Sequence, residues 1–289
     1  MSYRIFTDST ANLKNETIKQ FNIGIISLSY LLNGVEHISY EEGVENDLNA
    51  YYEALRHKAK ISTSCANEEA YYKAFKAAAE NGEDVLYLGF STGVSHTYDS
   101  ALPAINRLMN EYPERTFLPI DTRSGSLGEG MLVIEACKMR ETGAPIEKTY
   151  DFIENVKFNA CHLFTIDDLY CLYQGGRIPP LLYKIGTFVR VKPILHVNNE
   201  GRIVSLAKVL SRKTAINELV NILLKKIVHA SEQTIYIAHG GCEEEAYILV
   251  EKIKAKINVK DFYVNIMEPV MGAHGGPDIL SVYFFASSR

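Results

Sequence analysis

No C-x-x-C pair occurs among the five cysteines, Cys65, Cys137, Cys161, Cys171 and Cys242. Their odd, scattered placement argues against a disulfide framework and fits unpaired thiols in a reducing compartment. Metal-ligand pairs are missing too. His239-Gly240-Gly241-Cys242 stands alone, with no second pair at ligand spacing, so no metal is expected. Long apolar runs are absent: none approaches the roughly 20 residues a bilayer span requires. Met1-Ser2-Tyr3-Arg4 leads into a strand-like run without a signal-peptide core, so the expectation is a cytoplasmic protein with no integral membrane segment. Positive charge is not in excess. The formal net charge of −5 argues against nucleic acid or an anionic membrane as the main partner. Phosphate cradles are lacking as well: there is no G-x-x-x-x-G-K-[ST], and Gly125-Ser126-Leu127-Gly128-Glu129-Gly130 is not G-x-G-x-x-G. No cofactor is expected, and no internal repeat or low-complexity segment stands out.

What is present is a long alternation. The 289 residues are 47% hydrophobic and 22% charged, an ordinary globular composition whose length favours two domains. Short apolar runs predict strands at 3–6, 24–30, 85–90, 116–120, 162–166, 193–197, 203–209, 234–238, 262–267 and 280–285. Helix-period spacing predicts helices at 12–21, 46–57, 67–81, 97–111, 127–142, 146–157, 181–189, 212–229 and 242–256, with Asn12, Thr97 and Ser211 as amino-terminal caps. Strands alternating with helices define an α/β protein. Residues 192–209 break the alternation and read as a β-hairpin around Asn198-Asn199-Glu200-Gly201, which gives the second α/β domain a mixed sheet. The boundary falls at the end of the helix ending near 157, dividing the chain into 1–157 and 158–289.

Several predicted strands end in small polar residues: Thr7-Asp8-Ser9-Thr10, Ser91 to Thr97, and Asp121 to Ser126. Ser62-Thr63-Ser64 forms a further polar knot before the helix at 67. If the strands are parallel neighbours these loops share one rim, where open α/β sheets bind ligands. Gly89-Phe90-Ser91-Thr92-Gly93 has two readings. As a G-x-S-x-G it suggests a nucleophile elbow with Ser91 as nucleophile, and Asp167 or Asp168 followed by His239 or His274 completes a triad in α/β-hydrolase order. As a cluster of neutral donors before a helix it suits an anion. The polar loop runs on to Thr97 before a helix begins, and both His-Gly-Gly copies follow the serine, which favours the anion reading.

The second half adds glycine-rich loops at 173–179, 239–242 and 269–277. Glycine lets the backbone approach a ligand closely. His274 is placed in such a loop, between two apolar runs. From 175 to 213 eight basic residues (Arg177, Lys184, Arg190, Lys192, Arg202, Lys208, Arg212, Lys213) face one acidic residue, Glu200. That asymmetry fits either a docking face near a phosphate or a solvated patch.

Taken together, these motifs resemble the DegV family of bacterial fatty-acid-binding proteins. The match runs through Thr7-Asp8-Ser9, Ser62-Thr63-Ser64, Ser91-Thr92-Gly93-Val94-Ser95-His96-Thr97-Tyr98, Asp121 to Gly128, Gly175-Gly176-Arg177-Ile178, Lys192-Pro193-Ile194-Leu195, His239 to Cys242, and Gly272-Ala273-His274-Gly275-Gly276-Pro277. The resemblance implies a two-domain fold with a parallel-sheet, three-layer first domain, a long acyl chain buried in that domain and its carboxylate near the interface. It also implies a non-enzymatic carrier that presents the fatty acid to a separate fatty-acid kinase, which makes acyl phosphate for phospholipid synthesis. On that basis Thr63 and Ser95 hold the carboxylate, Arg177 and His274 lie near the head group, and Ser64 and Ser91 belong to the same ligand site. No residue is catalytic. Ala66, Asn67, His96, Gly275 and Asp278 depart from the usual pattern, and His96 and Asp278 bring new charge beside the site. An apolar tunnel in the first domain is expected from the Ile25, Ile26, Leu28, Leu31, Leu32 region and from Val133 and Ile134. A third possibility is a sugar-binding or dihydroxyacetone-kinase-like module on a related fold, which would bind a small polar ligand and have no tunnel.

Overall fold

Alternation with a period of two decides the first sheet. The computed structural model describes residues 2–178, 180, 183 and 191–289. Strands β1 (Tyr3–Asp8), β2 (Gly24–Ile26), β6 (Asp84–Gly89) and β7 (Phe117–Asp121) form a parallel four-stranded sheet in the order β2-β1-β6-β7. Successive side chains of a strand point to opposite faces. Val85 and Tyr87 accordingly meet helices α3 (Glu68–Glu80) and α4 (Thr97–Glu111), while Leu86 and Leu88 meet α1 (Asn15–Gln20), α5 (Leu127–Glu141) and α6 (Ile146–Val156). Being apolar on both faces, the strands can only be buried between two helical layers.

The second sheet has six strands, in the order β10-β9-β8-β13-β11-β12. They are β8 (Ala160–Thr165), β9 (Lys192–Val197), β10 (Ile203–Val209), β11 (Thr234–His239), β12 (Asp261–Ile266) and β13 (Leu280–Phe285). The β11–β12 pair is parallel and the other four pairs are antiparallel, so the sheet is mixed, as expected. The hairpin at 192–209 is present, its turn closed by Asn198 N donating to Arg202 O at 3.0 Å. One face of this sheet packs against α8 (Arg212–Lys226) and α9 (Glu243–Lys254).

The other face packs against α5. Residues Leu127 to Ile134, Ala136 and Cys137 of that helix are all buried, which is the pattern of a helix with apolar neighbours on every side. One hydrophobic cluster therefore runs from Ile5 and Leu88 through Met131 and Val133 to Phe164, Tyr236 and Tyr283. Helix α5 lies between the two sheets and packs against both.

Several expectations need correction. The run at 24–30 is not one strand: β2 stops at Ile26, and β3 (Ser29–Leu32) belongs to a separate antiparallel sheet, β4-β3-β5. Strand β4 (Val35–Ile38) is exposed throughout, and β5 (Ile61–Ser64) carries the polar Ser62-Thr63-Ser64; neither has the apolar content that marks a strand. Asn12 is a left-handed carboxyl-terminal cap rather than the start of a helix, and α4 begins at Thr97 with His96 as its cap residue. Ser211 does cap α8, its side chain accepting from Thr214 N. The short helices α7 (Tyr170–Gln174) and α10 (Pro269–Gly275) fall where loops are expected. The predicted helix at 181–189, with Lys184 and Arg190, lies outside the described residues apart from Tyr183.

Candidate functional site

The loops after β6 and β7 and strand β5 face the second sheet across a partly open, mostly apolar cavity of about 120 Å³. Its polar end is built by three elements. Strand β5 brings Thr63 through antiparallel pairing with β3, Thr63 lying opposite Tyr30. The β6–α4 loop brings Ser91 and Ser95. Helix α10 brings His274 in its last turn, not in an irregular loop as expected.

Helix α10 is short, and its position is enforced from outside. Buried Glu268 caps it, accepting from Val270 N at 2.9 Å and Met271 N at 2.6 Å, and Pro269 occupies its first turn. Glu268 N donates to Asn12 Oδ1 at 2.8 Å, and Ser39 donates to the Glu268 carboxylate. From α2 (Leu48–Arg56), Tyr51 and Tyr52 donate to the carbonyls of Pro269 (2.6 Å) and Met267 (2.9 Å). His274 Nε2 then sits 2.9 Å from Thr63 Oγ1.

Ser95 is buried, with its Oγ 2.8 Å from Thr97 Oγ1 and accepting from Thr97 N at 3.2 Å. Cys65 Sγ is 3.9 Å from Ser95 Oγ and accepts from Thr97 Oγ1 at 3.3 Å, so β5 and the β6–α4 loop touch two residues beyond Thr63. Arg177 lies half-buried in the same wall, its Nε donating to Val94 O at 3.1 Å and its Nη1 to Gly175 O. Ser64 is exposed and also lines the cavity. All six residues expected at the ligand site, Thr63, Ser64, Ser91, Ser95, Arg177 and His274, thus border one cavity.

Burial, reinforced by the nearby Arg177 charge, lowers the His274 pKa to about 4, so the imidazole is neutral at pH 7. Burial also pulls down the pKa of Arg177, but a guanidinium stays charged. Among the described residues no carboxylate pairs with it. One cation, a neutral imidazole and hydroxyls at the end of an apolar cavity suit a single anionic head group. Each carboxylate lone pair could find a donor there, which makes partial burial of a charge tolerable.

The rest of the lining departs from expectation. Of Ile25, Ile26, Leu28, Leu31, Leu32, Val133 and Ile134, only Leu28 borders the cavity. Val133 and Ile134 are ordinary core. The apolar wall comes mainly from the second half: Phe164, Val197 and Ile203 on β8, β9 and β10, with Met267, Met271 and Ile279. The cavity therefore lies between the two sheets and not inside the first layer stack. Of the three polar loop ends, only the serines enter it, together with Ser124. Asp8 turns away to accept from Tyr71, Tyr87 and Phe90 N, and Asp121 holds Thr92 and Arg123. The 175–213 segment is less unbalanced than its composition, since Lys192 and Arg212 reach Asp167 and Arg212 also reaches Glu245. Among the described residues no group of three or more His, Cys, Asp or Glu side chains could hold a metal ion, and no helix is long and apolar enough to cross a membrane.

The nucleophile reading of Ser91 finds no support. Its Oγ donates to Gly201 O at 3.0 Å and accepts from Gly93 N at 3.1 Å, so its hydrogen bonds tie the loop to the β9–β10 turn. Helix α4 starts six residues later, unlike the turn of an elbow.

An α/β protein with two large sheets and a small third one, and an apolar cavity between the large sheets headed by hydroxyls, a histidine and an arginine, is the class that fold and site define. A family model described as "Uncharacterised protein, DegV family" matches residues 2–287, and the chain belongs to the DegV family. A DegV domain-containing protein of Clostridium perfringens is 36% identical over 287 residues, covering 99% of this chain and 98% of that one. A structure described as "Fatty Acid Binding of a DegV family Protein from Thermus thermophilus" superimposes with a TM-score of 0.89 at 25% identity, covering 99% of this chain and 100% of that one. A Bacillus subtilis structure, described as that of DegV, a fatty acid binding protein, gives a TM-score of 0.84 at 27% identity, with coverage of 99% and 100%.

Proposed function

We propose that this protein binds a long-chain fatty acid, with the carboxylate at Thr63, Ser95, His274 and Arg177 and the acyl chain in the cavity, and hands it to a separate fatty-acid kinase for acyl-phosphate formation. The observation that carries the reading is the convergence of Thr63, Ser95, His274 and Arg177 at the polar end of one otherwise apolar cavity. The fatty-acid-binding relatives from Thermus thermophilus and Bacillus subtilis support the ligand class. The protein acts as a carrier and not as a catalyst, with no cofactor. In this reading residues 1–157 supply the hydroxyls and residues 158–289 most of the channel wall.

The energetics are consistent with an acyl ligand. At about 0.8 kcal/mol per buried methylene, some fifteen methylenes contribute roughly 12 kcal/mol before ordering costs. The empty cavity is smaller than the roughly 300–1,000 Å³ of common ligand pockets, so a long chain must part the walls. Met267 and Met271, unbranched and adaptable, are suited to move. The neutral hydroxyls and imidazole would share the head group with the single guanidinium of Arg177, so that the carboxylate is held without being locked between several cations and can be presented for phosphoryl transfer.

The test is mass spectrometry of lipid extracted from the purified protein, followed by Ser95→Ala and Thr63→Val. The expected result is a free long-chain acid in the wild type, much reduced in both variants, which stay folded. Lipid content unchanged in both variants, or a wild-type protein that neither carries nor takes up any fatty acid, would overturn it. With a fatty-acid kinase and ATP added, label should move to the bound acid.

A further inference from the structure

The same cavity contains polar groups that a plain hydrocarbon cannot satisfy. His162 on β8 is 2% exposed and lines the cavity, yet among the described residues neither ring nitrogen has a hydrogen-bond partner. The Ala160 carbonyl is near enough to favour protonation slightly, but it completes no hydrogen bond with the ring and already accepts from Arg289 Nε at 2.9 Å. Ser281 on β13, 1% exposed, also lines the cavity; its hydroxyl is near enough to the Tyr283 hydroxyl to offset part of the rise that burial gives that phenol's pKa, but among the described residues it completes no hydrogen bond.

Register places the two together. His162 lies opposite Tyr283, and Phe164 opposite Ser281, in the antiparallel β8–β13 pair. His162 and Ser281 are thus diagonal neighbours on the face of the sheet that looks into the cavity. The ring stands edge-on to Tyr283 with centroids 5.4 Å apart, and the missing side chain of Gly128 on α5 makes room for it, since a Cβ there would collide with Nε2. The site is built, not accidental: a small residue on one element accommodates an imidazole on another. Burial, with the charge of Arg289, keeps that imidazole neutral, so it offers one donor and one acceptor.

Unpaired buried polar groups are unfavourable, and native structures pair nearly all of them. We infer that His162 and Ser281 form a second, internal recognition site for a hydroxyl or keto group carried on the acyl chain, so that the preferred ligand class includes oxygenated long-chain acids. The inference rests on the fatty-acid reading above and specifies its substrate. A hydroxyl can donate to the bare imidazole nitrogen while accepting from Ser281, or accept from the ring N–H when the other tautomer is present. A saturated chain leaves all of these positions unfilled.

The experiment is direct binding of octadecanoic acid and of a positional series of hydroxyoctadecanoic acids to the wild type, His162→Phe and Ser281→Ala. The readout is the ratio of the two Kd values within each protein, so that any general change in fit cancels. Phe keeps a flat ring beside Tyr283, and Ser281→Ala removes a single atom should the larger change disturb folding. At least one hydroxy isomer should bind the wild type as tightly as octadecanoic acid. The ratio should shift against that isomer by about tenfold in His162→Phe, the loss of one good hydrogen bond, and by several-fold in Ser281→Ala. Every isomer binding the wild type about tenfold or more weakly than octadecanoic acid, or ratios unmoved by both variants, would overturn the inference while leaving fatty-acid binding intact. Failure of octadecanoic acid itself to bind would bring down the parent reading, and this inference with it.

Discussion

Gly175 makes room for the imidazole of His274: a Cβ at position 175 would collide with Nδ1. Gly175 has φ −71, so alanine fits its backbone and only the contact forbids it. Gly175→Ala should displace His274 from Thr63 and weaken fatty-acid retention by about tenfold, the worth of one hydrogen bond to an anion. The fold should survive, because α7 ends where it did. Titration with a fluorescent fatty acid beside a melting curve separates the two effects. Full affinity would show that His274 does not shape the head-group site.

The wall assignment can be tested by filling it. Val197→Phe projects from β9 into the cavity and should block acyl binding at a stability cost of about 1 kcal/mol or less, because space is available. Val133→Phe, at a fully buried core position of α5, should cost about 1–3 kcal/mol by overpacking and leave lipid content in the folded fraction unchanged. Urea midpoints and extracted lipid give both numbers, and the reverse pattern would return the channel to the first layer stack.

The stability contributed by Asp8 and Glu268 should fall as pH rises from 4 to 7. Burial raises the pKa of Asp8 and of Glu268 to about 7 each, so the folded protein holds protons that the unfolded chain releases near pH 4. Their stabilising contribution is complete below about pH 4 and is lost as pH climbs through 7, a tenfold difference in proton affinity between folded and unfolded chain being worth about 1.4 kcal/mol. His274 acts oppositely over nearly the same range, its depressed pKa of about 4 contributing stability that is present above 6.5 and lost as pH falls through 4, and burial lowers His162, His196 and His239 in the same direction. Glu268→Gln should therefore be less stable than wild type at pH 5, where its cap bonds are missed, with the gap narrowing by pH 8. A gap that widens with pH would show that Glu268 is ionised in the native state.

Arg289 fastens the ends of several strands. Its guanidinium donates to the carbonyls of Ala160 (2.9 Å), Arg123 (2.7 Å), Asn198 (3.0 Å) and Lys157 (2.7 Å) and to Ser124 Oγ (2.8 Å), and burial lowers its pKa to about 10. A lysine ammonium has three donors and no planar fork, so Arg289→Lys should cost about 2 kcal/mol or more. Chemical denaturation checks this, and a loss below about 0.5 kcal/mol would mean that the cage of carbonyls contributes little.

Repeating local patterns carried much of the architecture. The apolar run Val85-Leu86-Tyr87-Leu88 and the helical spacing of 97–111 and 127–142 depend on near neighbours in the chain, so they were legible and proved right within a residue or two. Strands β4 and β5 were not, because Val35-Glu36-His37-Ile38 and Ile61-Ser62-Thr63-Ser64 pair by backbone hydrogen bonds and bury little. Helix α10 was hidden by its glycines. It holds because Glu268, Tyr51 and Tyr52 pin it from distant segments. The histidine within the apolar run of β8 was a visible anomaly, but its meaning depends on Gly128 and Ser281 lying beside it.

Alternating apolar runs were sufficient to indicate an α/β protein and the 192–209 hairpin a mixed second sheet, while the order of the polar motifs indicated the family and, through it, Thr63, Ser95, Arg177 and His274 as companions. Which hydrophobic residues face an empty space and which face each other could not be read from one dimension. Val133 and Val197 are the same side chain, and they differ only in whether packed atoms or a void stand opposite. That difference arises where α5 fills part of the gap between the two sheets and leaves the remainder open, a consequence of how distant surfaces meet.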